Sequence, residues 1–496
     1  MVETVMRGVS LGAVPGGTML LIPPMTPAER MGALAEGGAI MPGLGVLYIA
    51  ATLRRESFPV VILDAEGLGL DLDSTVEQVV WNRPAVLGVT TTTISVTTAA
   101  AVARGVKAKL PATKVILGGP HVTALPMETM EAFPQVDGCV LGDGEYSFAQ
   151  IVRNVCEGKE LGNGVDGLVF RDDGDVLLSP KTRHIEDLDS LPFPAWDLLH
   201  GFPRIYRPPF HSYQRLPVAN IVTSRGCPHV CSFCDRSVFG ERTFFHSVEY
   251  IVEMIQYLIK DFGIREISIK DDTFVVSSER VVEFCKLLRQ RGLNVTWSCN
   301  ARVNYVNDET IREMKKAGCW MIAYGIESGS PRMLKKMMKG ITRKQVMDAL
   351  SITRRHGIVS KGFFMIGVPG ETIQTLEETA SFIQRLPLDE ININFFTPFP
   401  GSRLFQEVLA EGFQPDFARM NMLDAVYVPK GLKDEDLKRY RRKMIYSFYL
   451  KPSKVCQYAL RMLKDFGEFK RLLRMGKMFF KLSASELRRK SFSSGV

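Results

Sequence analysis

Short apolar runs alternate with stretches of helical periodicity along residues 15–155. Met19-Leu20-Leu21-Ile22, Pro59-Val60-Val61-Ile62-Leu63-Asp64, Ala85-Val86-Leu87-Gly88-Val89, 114–119 and 136–141 each read as a strand. A strand covered on both faces is apolar throughout, which marks a parallel sheet. Leu44, Leu47, Ala51 and Leu53 recur at helical spacing, and Arg54-Arg55 close that helix. The alternation predicts an α/β fold that opens with a doubly wound, Rossmann-like sheet taking ligands at the carboxyl ends of its strands. From about 216 to 400 the alternation repeats six times, with strands near 218–223, 265–270, 294–299, 320–326, 359–366 and 391–397 and helices such as 248–262 and 278–291. Six βα units read as a partial (β/α)6 barrel of TIM type, with its chemistry at the carboxyl ends of the strands. Between the two, 158–174 reads as a small hairpin and 185–197, rich in proline, acids and aromatics, as an extended connector. Trp196, Phe202, Tyr206 and Phe210 line the domain interface or a substrate entrance, or simply pack. Residues 405–412 and 434–450 read as helices.

Composition changes this picture at three points. With 46% hydrophobic and 23% charged residues the chain is globular, and 496 residues suffice for two to four domains. Nine cysteines, an odd number with only three closely spaced, argue against a disulfide framework and for a reducing cytoplasm. No signal peptide or membrane span is expected: 8–28 is broken by Pro15, Pro23-Pro24 and Pro27, and 84–103 is mostly threonine and alanine. The net charge of +8 is uneven. Residues 430–496 carry 19 Lys and Arg against 6 Asp and Glu, a net +13, so the first 429 carry −5. From 451 onward basic residues interleave with Tyr458, Leu460, Met462, Phe466, Phe469 and Phe479-Phe480. This tail reads as a helical lid with a solvated basic face, as a peripheral contact with anionic lipid, or as a surface for an acidic partner. No nucleic-acid-binding module is evident.

The candidate chemistry lies in Cys227-Pro228-His229-Val230-Cys231-Ser232-Phe233-Cys234, directly after the first predicted barrel strand. Three thiolates spaced C-x3-C-x2-C suit a cubane iron–sulfur cluster with one iron left open. A zinc site and three unrelated packed cysteines are the competing readings. Zinc wants a fourth protein ligand, and His229 reaches it only awkwardly. At the strand ends of the first sheet stand Thr90-Thr91-Thr92-Thr93, Gly118-Gly119-Pro120-His121 and Gly142-Asp143-Gly144-Glu145. Glycines there admit a ligand close to the backbone, or serve only as tight turns.

The cysteine triplet, with Phe233 before its last member, resembles the signature of radical S-adenosylmethionine (SAM) enzymes. That resemblance implies a [4Fe-4S] cluster on Cys227, Cys231 and Cys234 whose open iron chelates SAM. It also implies reductive cleavage of SAM to a 5′-deoxyadenosyl radical and an external electron donor such as flavodoxin or ferredoxin. The run 117–123, Val136-Asp137 and 142–145 is similar to the N-terminal cobalamin-binding domain of one branch of these enzymes, over most of residues 15–155. The resemblance implies that Thr91, Thr92, Gly118, Gly119, His121, Gly142, Gly144 and Glu145 face the cobalamin, with turn-structuring an equal role for His121. Where that fold can carry a cobalt-ligating His, this chain reads Asp64-Ala65-Glu66-Gly67, so no lower His ligand is expected from that motif. For SAM the resemblance implies Phe233, Asp271 or Asp272 toward the amine, Arg302 toward the carboxylate, Glu327 and Ser328 toward the ribose, and Ile366-Gly367 along the adenine. Trp297, Cys299, Asn300 and Tyr324 are expected near the same rim, with an inert packed thiol the favoured role of Cys299.

The expected organisation is a cobalamin-binding domain (1–155), a linker (156–215), a radical SAM core (216–400) and a basic helical region (401–496). The expected activity is methylation of an unactivated carbon of a small-molecule substrate, with a tilt toward a hydrophobic one, and with cobalamin as methyl carrier. Radical cyclisation or oxidative rearrangement of a tetrapyrrole or lipid-type substrate is the alternative. A tRNA methylthiotransferase would carry three more cysteines upstream, and a non-catalytic cobalamin sensor would not need the triplet.

Overall fold

The computed structural model describes residues 14–26, 29, 40–209 and 211–456. Phe210 and the basic tail from 457 onward lie outside the described residues.

The first sheet has seven strands: β1 (Thr18–Ile22), β2 (Val60–Asp64), β3 (Val86–Thr90), β4 (Lys114–Gly118), β5 (Gly138–Val140), β6 (Leu168–Asp172) and β7 (Asp175–Ser179). Their order is β2-β1-β3-β4-β5-β6-β7. The first five are parallel, and β6 and β7 run antiparallel to their neighbours. Chain direction across the sheet reverses at the β1/β3 boundary, which is where such a fold opens a crevice. The hairpin expected inside the connector is therefore shifted to 168–179 and extends this sheet. Its pairing partner β5 is about thirty residues upstream, a contact that local pattern does not reveal.

The second sheet joins β8 (Val218–Ile221), β11 (Glu266–Ile269), β12 (Thr296–Ala301), β13 (Cys319–Glu327), β14 (Val359–Ile366) and β15 (Glu390–Phe395), all parallel and in sequential order. Two short strands, β9 (Ser224–Arg225) and β10 (Phe244–Phe245), form a ribbon beside the first loop. Sequential parallel strands with helices on the outside make the open six-stranded barrel. Helix Val248–Phe262 shows why these segments fold as they do. Ser247 caps its start, Gly263 ends it in left-handed geometry, and Ile251, Val252, Ile255 and Leu258 face the sheet. Helix Asp434–Tyr449 packs on the barrel beside helix Ile373–Arg385, with Tyr440 and Lys443 both bonded to Glu377.

One apolar cluster runs through both halves. It joins Leu20, Leu47 and Val152 of the first sheet's layer to Trp196, Tyr206 and the outward-facing residues of the barrel strands. Trp196 and Tyr206 are fully buried, and Phe202 packs on Tyr206 and Phe262, so these connector aromatics fill the joint. Among the described residues no helix is long and apolar enough to cross a membrane.

Candidate functional site

A cavity of about 300 Å³ separates the strand ends of the first sheet from the mouth of the barrel. Gly118, Gly119, Gly142, Gly144 and Glu145 line one wall; Arg225, Lys270 and Asp272 line the other. Gly119 has φ +113, and a Cβ there would lie 2.4 Å from the Thr91 carbonyl oxygen, so no other residue permits this close turn. Thr91 is buried, donating from its N–H and hydroxyl to the Gly118 carbonyl at 2.7 and 2.9 Å. The hydroxyl of Thr92 meets Ser95 at 3.1 Å where the next helix begins. Both threonines shape the rim rather than line the cavity. His121 does not line it either. It is 2% exposed, within 3.4 Å of the Thr93 hydroxyl and edge-on to Phe417 at 4.8 Å. Burial lowers its pKa to about 4. The turn-structuring role is what this geometry supports, because Phe417 comes from beyond the barrel to cover the ring. At the Asp64 turn, the Asp64 carboxylate accepts from Tyr206 Oη at 2.9 Å and from the Gly67 N–H at 2.8 Å.

Arg225 was passed over in the sequence, although it stands two residues before the first cysteine. It is buried, donating to Asp143 at 3.1 Å and to Glu145 at 2.6 Å, and its guanidinium lies 5.0 Å over the Tyr48 ring. The other Glu145 oxygen, Oε2, is buried with no partner. Asp143 also accepts from the Ile185 N–H at 3.2 Å and lies 3.3 Å from His184 Nδ1. One guanidinium thus ties the first sheet's Gly-Asp-Gly-Glu turn to the loop that carries the cysteines. Only the pairing of acidic turn and pre-cysteine arginine, 80 residues apart, signals this in the sequence.

The cysteine loop is pinned from below. Ser232 N–H donates to the Met337 carbonyl at 3.0 Å, and Leu404 N–H donates to the Ser232 carbonyl at 2.8 Å. Cys227 is half-buried, Cys231 buried and Cys234 exposed. Arg302 Nη1 lies 3.2 Å from Cys231 Sγ, and its other donors meet the Lys339 carbonyl and Asn304. Lys339 pairs with Glu327 at 2.8 Å and sits 5.6 Å over the Phe233 ring. A hydrogen bond from Cys234, with Lys339 and Arg302 nearby, lowers Cys231 to about 6, whereas burial raises Cys227. His229 Nε2 bonds Tyr305 Oη at 2.9 Å and faces a neighbouring side chain rather than a metal. Among the described residues no three His, Cys, Asp or Glu converge on a point that one ion would fill. Three soft sulfurs around a loop, two cations beside them and no fourth donor fit a polynuclear cluster better than zinc.

The remaining candidates separate into two groups. Asp272 lines the cavity, accepts from the Gly226 N–H and is raised in pKa by burial and by Asp271. Asp271 is buried, and its oxygens accept from Thr223 N–H, Thr223 Oγ1 and Ser224 Oγ at 2.6, 2.5 and 2.6 Å. It fixes the backbone leading to Arg225. Ser328 is buried against Thr379 at 3.0 Å and accepts from the Ser330 N–H. Ile366 is fully buried, and Gly367 donates its N–H to Glu371. Trp297, Cys299 and Tyr324, expected near the rim, belong instead to the core between strands and helices; only Asn300 faces inward. The pleat decides this, since alternate residues of β12 and β13 point to opposite faces. Cys299 is a packed thiol beside Cys319.

Comparison with known proteins agrees with this layout. Residues 31–152 match the family model of the B12 binding domain, and residues 221–383 match the radical SAM superfamily. An uncharacterized methyltransferase of Pyrococcus horikoshii is 34% identical, over 88% of this chain and 92% of that protein. An anaerobic magnesium-protoporphyrin IX monomethyl ester cyclase of Rubrivivax gelatinosus is 29% identical, over 84% of this chain and 76% of that one. Two solved structures share the fold. TsrM of Kitasatospora setae, a radical SAM methyltransferase with cobalamin and a [4Fe-4S] cluster bound, superposes with TM-score 0.65 at 18% identity, covering 80% and 75% of the chains. OxsB, a cobalamin-dependent SAM radical enzyme, superposes with TM-score 0.71 at 16% identity, covering 92% and 72%.

Proposed function

The chain belongs to the cobalamin-binding radical SAM family, and from that membership we propose that it methylates an unactivated carbon of a small molecule. The observation that carries the reading is the single cavity walled on one side by the glycine turns of the B12-type sheet and on the other by the residues flanking the cysteine loop. A methyl carrier and a site of radical generation must face the same substrate, and this arrangement provides for that.

Cys227, Cys231 and Cys234 would hold the cluster, and Gly118, Gly119, Gly142 and Gly144 would admit a flat macrocycle against the backbone. Bound, these groups supply radical generation from SAM and methyl transfer. The protein's own part is orientation and shielding. Arg302 and Lys339 offset the charge of the sulfur ligands, Asp272 offers the one cavity-facing carboxylate at the β11 end, and the packed joint excludes water. An external reductant such as a flavodoxin or ferredoxin would supply the electron.

Cyclisation without methyl transfer is the second reading, favoured by the likeness to the Rubrivivax cyclase. Protein purified without oxygen, reconstituted with iron, sulfide and hydroxocobalamin and then desalted, is expected to retain about one cobalamin per chain beside a reducible cluster. Absorption and EPR spectra test this. S-adenosylhomocysteine formed in step with product identifies methyl transfer; 5′-deoxyadenosine alone favours cyclisation.

A further inference from the structure

The barrel lumen holds an unneutralised cation. Ile267 and Ile269 of β11 pack outward in the core, so Ser268 and Lys270 face the lumen. Ser268 stands beside Ser298, and two residues on the same register sets Lys270 beside Asn300. From Asn300 the layer continues through Ala323 and Lys361 to Glu390. That layer therefore carries two ammonium groups and one carboxylate. Glu390 is the strand neighbour of Lys361, whereas Lys270 makes no side-chain hydrogen bond or ion pair among the described residues. Of the two carboxylates that follow it, Asp271 is bonded to Thr223 and Ser224 and Asp272 accepts from the Gly226 N–H, and no ion pair joins either to Lys270 among the described residues. Lys270 lines the cavity and is exposed to it, and the surrounding protein together with Lys361 lowers its pKa. The small Ala323 leaves room beside it, and Phe363 and Met365 of β14 provide half-buried apolar surface on the same inner face.

We propose that the substrate carries an anionic group, a carboxylate or a phosphate, and that Lys270 holds it inside the barrel while its apolar part lies toward Phe363 and Met365. An ammonium at the cavity wall, with a second ammonium in its layer and no side-chain partner among the described residues, offers an arriving anion a charge-assisted hydrogen bond. Arg302 and Lys339 are bonded around the cysteine loop, so they do not compete for this group. The inference rests on the enzyme reading above, since it assigns the lumen to the substrate.

The test uses the full chain, reconstituted with cluster and hydroxocobalamin, and three probes of one chain length: octyl phosphate, octanoate and 1-octanol. Calorimetry is expected to show an anionic probe binding more tightly than the alcohol, with Lys270→Gln weakening the anion by about tenfold or more. Lys270→Arg should keep most of that affinity, and unchanged cluster and cobalamin spectra would show that each variant folds. The relative affinities of octyl phosphate and octanoate decide between the two anions. Equal binding of anion and alcohol, no binding of any probe, or indifference to Lys270→Gln overturns the proposal. A weakened affinity for SAM in Lys270→Gln, read by equilibrium dialysis, with the probes unaffected, also overturns it and gives the cation to the SAM carboxylate. If the loaded wild type forms no 5′-deoxyadenosine from SAM and a reductant, the enzyme reading itself fails, an outcome separate from any of these.

Discussion

Arg225 is the buried cation that ties the two halves of the site together. It is 8% exposed and closes two ion pairs across the joint. Removing one partner of a buried charge cluster leaves the others desolvated and unpaired, at a cost of roughly 3–5 kcal/mol. Arg225→Met is therefore expected to lower the urea midpoint and to release cobalamin, read by denaturation and by cobalamin content after desalting. A charge-reversed second site is not needed to see it, because Asp143 and Glu145 stay buried. His121 gives a pH prediction. Its pKa in the folded chain is about 4, below its ordinary 6.5, because burial disfavours the imidazolium. Between those values the unfolded chain binds the extra proton, so the neutral ring's contribution is whole above pH 6.5 and is lost as pH falls toward 4. The full shift is worth up to about 3 kcal/mol. His229 and His246 are depressed in the same direction by burial and add to the slope. Melting temperature should fall from pH 7 to pH 5 in the wild type and less steeply in His121→Gln; equal slopes would refute the assignment.

At the scale of elements, the cysteine loop depends on what lies around it more than on its own sequence. Gly226 has φ +84, and a Cβ there would stand 2.3 Å from the Arg242 carbonyl oxygen. Backbone cannot give way as a side-chain tip can, so Gly226→Ala is expected to displace Cys227 and to reduce iron per chain after reconstitution. The overall fold should survive, as unchanged far-ultraviolet circular dichroism would show. The cluster motif itself was legible as spacing. Its supports were not: Met337, Lys339 and Leu404 approach from segments about 100 to 170 residues downstream. The same limit explains Trp297, Cys299 and Tyr324. Their place in sequence set them at strand ends, but the face they occupy depends on the pleat of β12 and β13 in the assembled sheet.

For the whole molecule, one continuous apolar cluster binds the two α/β units, with Trp196 and Tyr206 of the connector inside it. Apolar burial is the dominant favourable contribution to folding, so opening either unit exposes part of the core of the other and couples their unfolding. Urea unfolding followed by tryptophan fluorescence and by circular dichroism should give coincident transitions, and two separated ones would contradict a shared core. The sequence by itself determined the two parallel sheets, their strand positions to within a few residues, and the cysteine triplet with its chemistry. Each is written in local periodicity or in contiguous spacing, which survives without knowledge of distant contacts. Only the tertiary structure decided which groups meet. It set Arg225 against Asp143 and Glu145, turned His121 under Phe417, drew the 168–179 hairpin onto the first sheet, and left Lys270 facing an open lumen with no side-chain partner among the described residues. Those outcomes follow from pleat phase, sheet order and long-range burial, quantities that no short stretch of the chain contains.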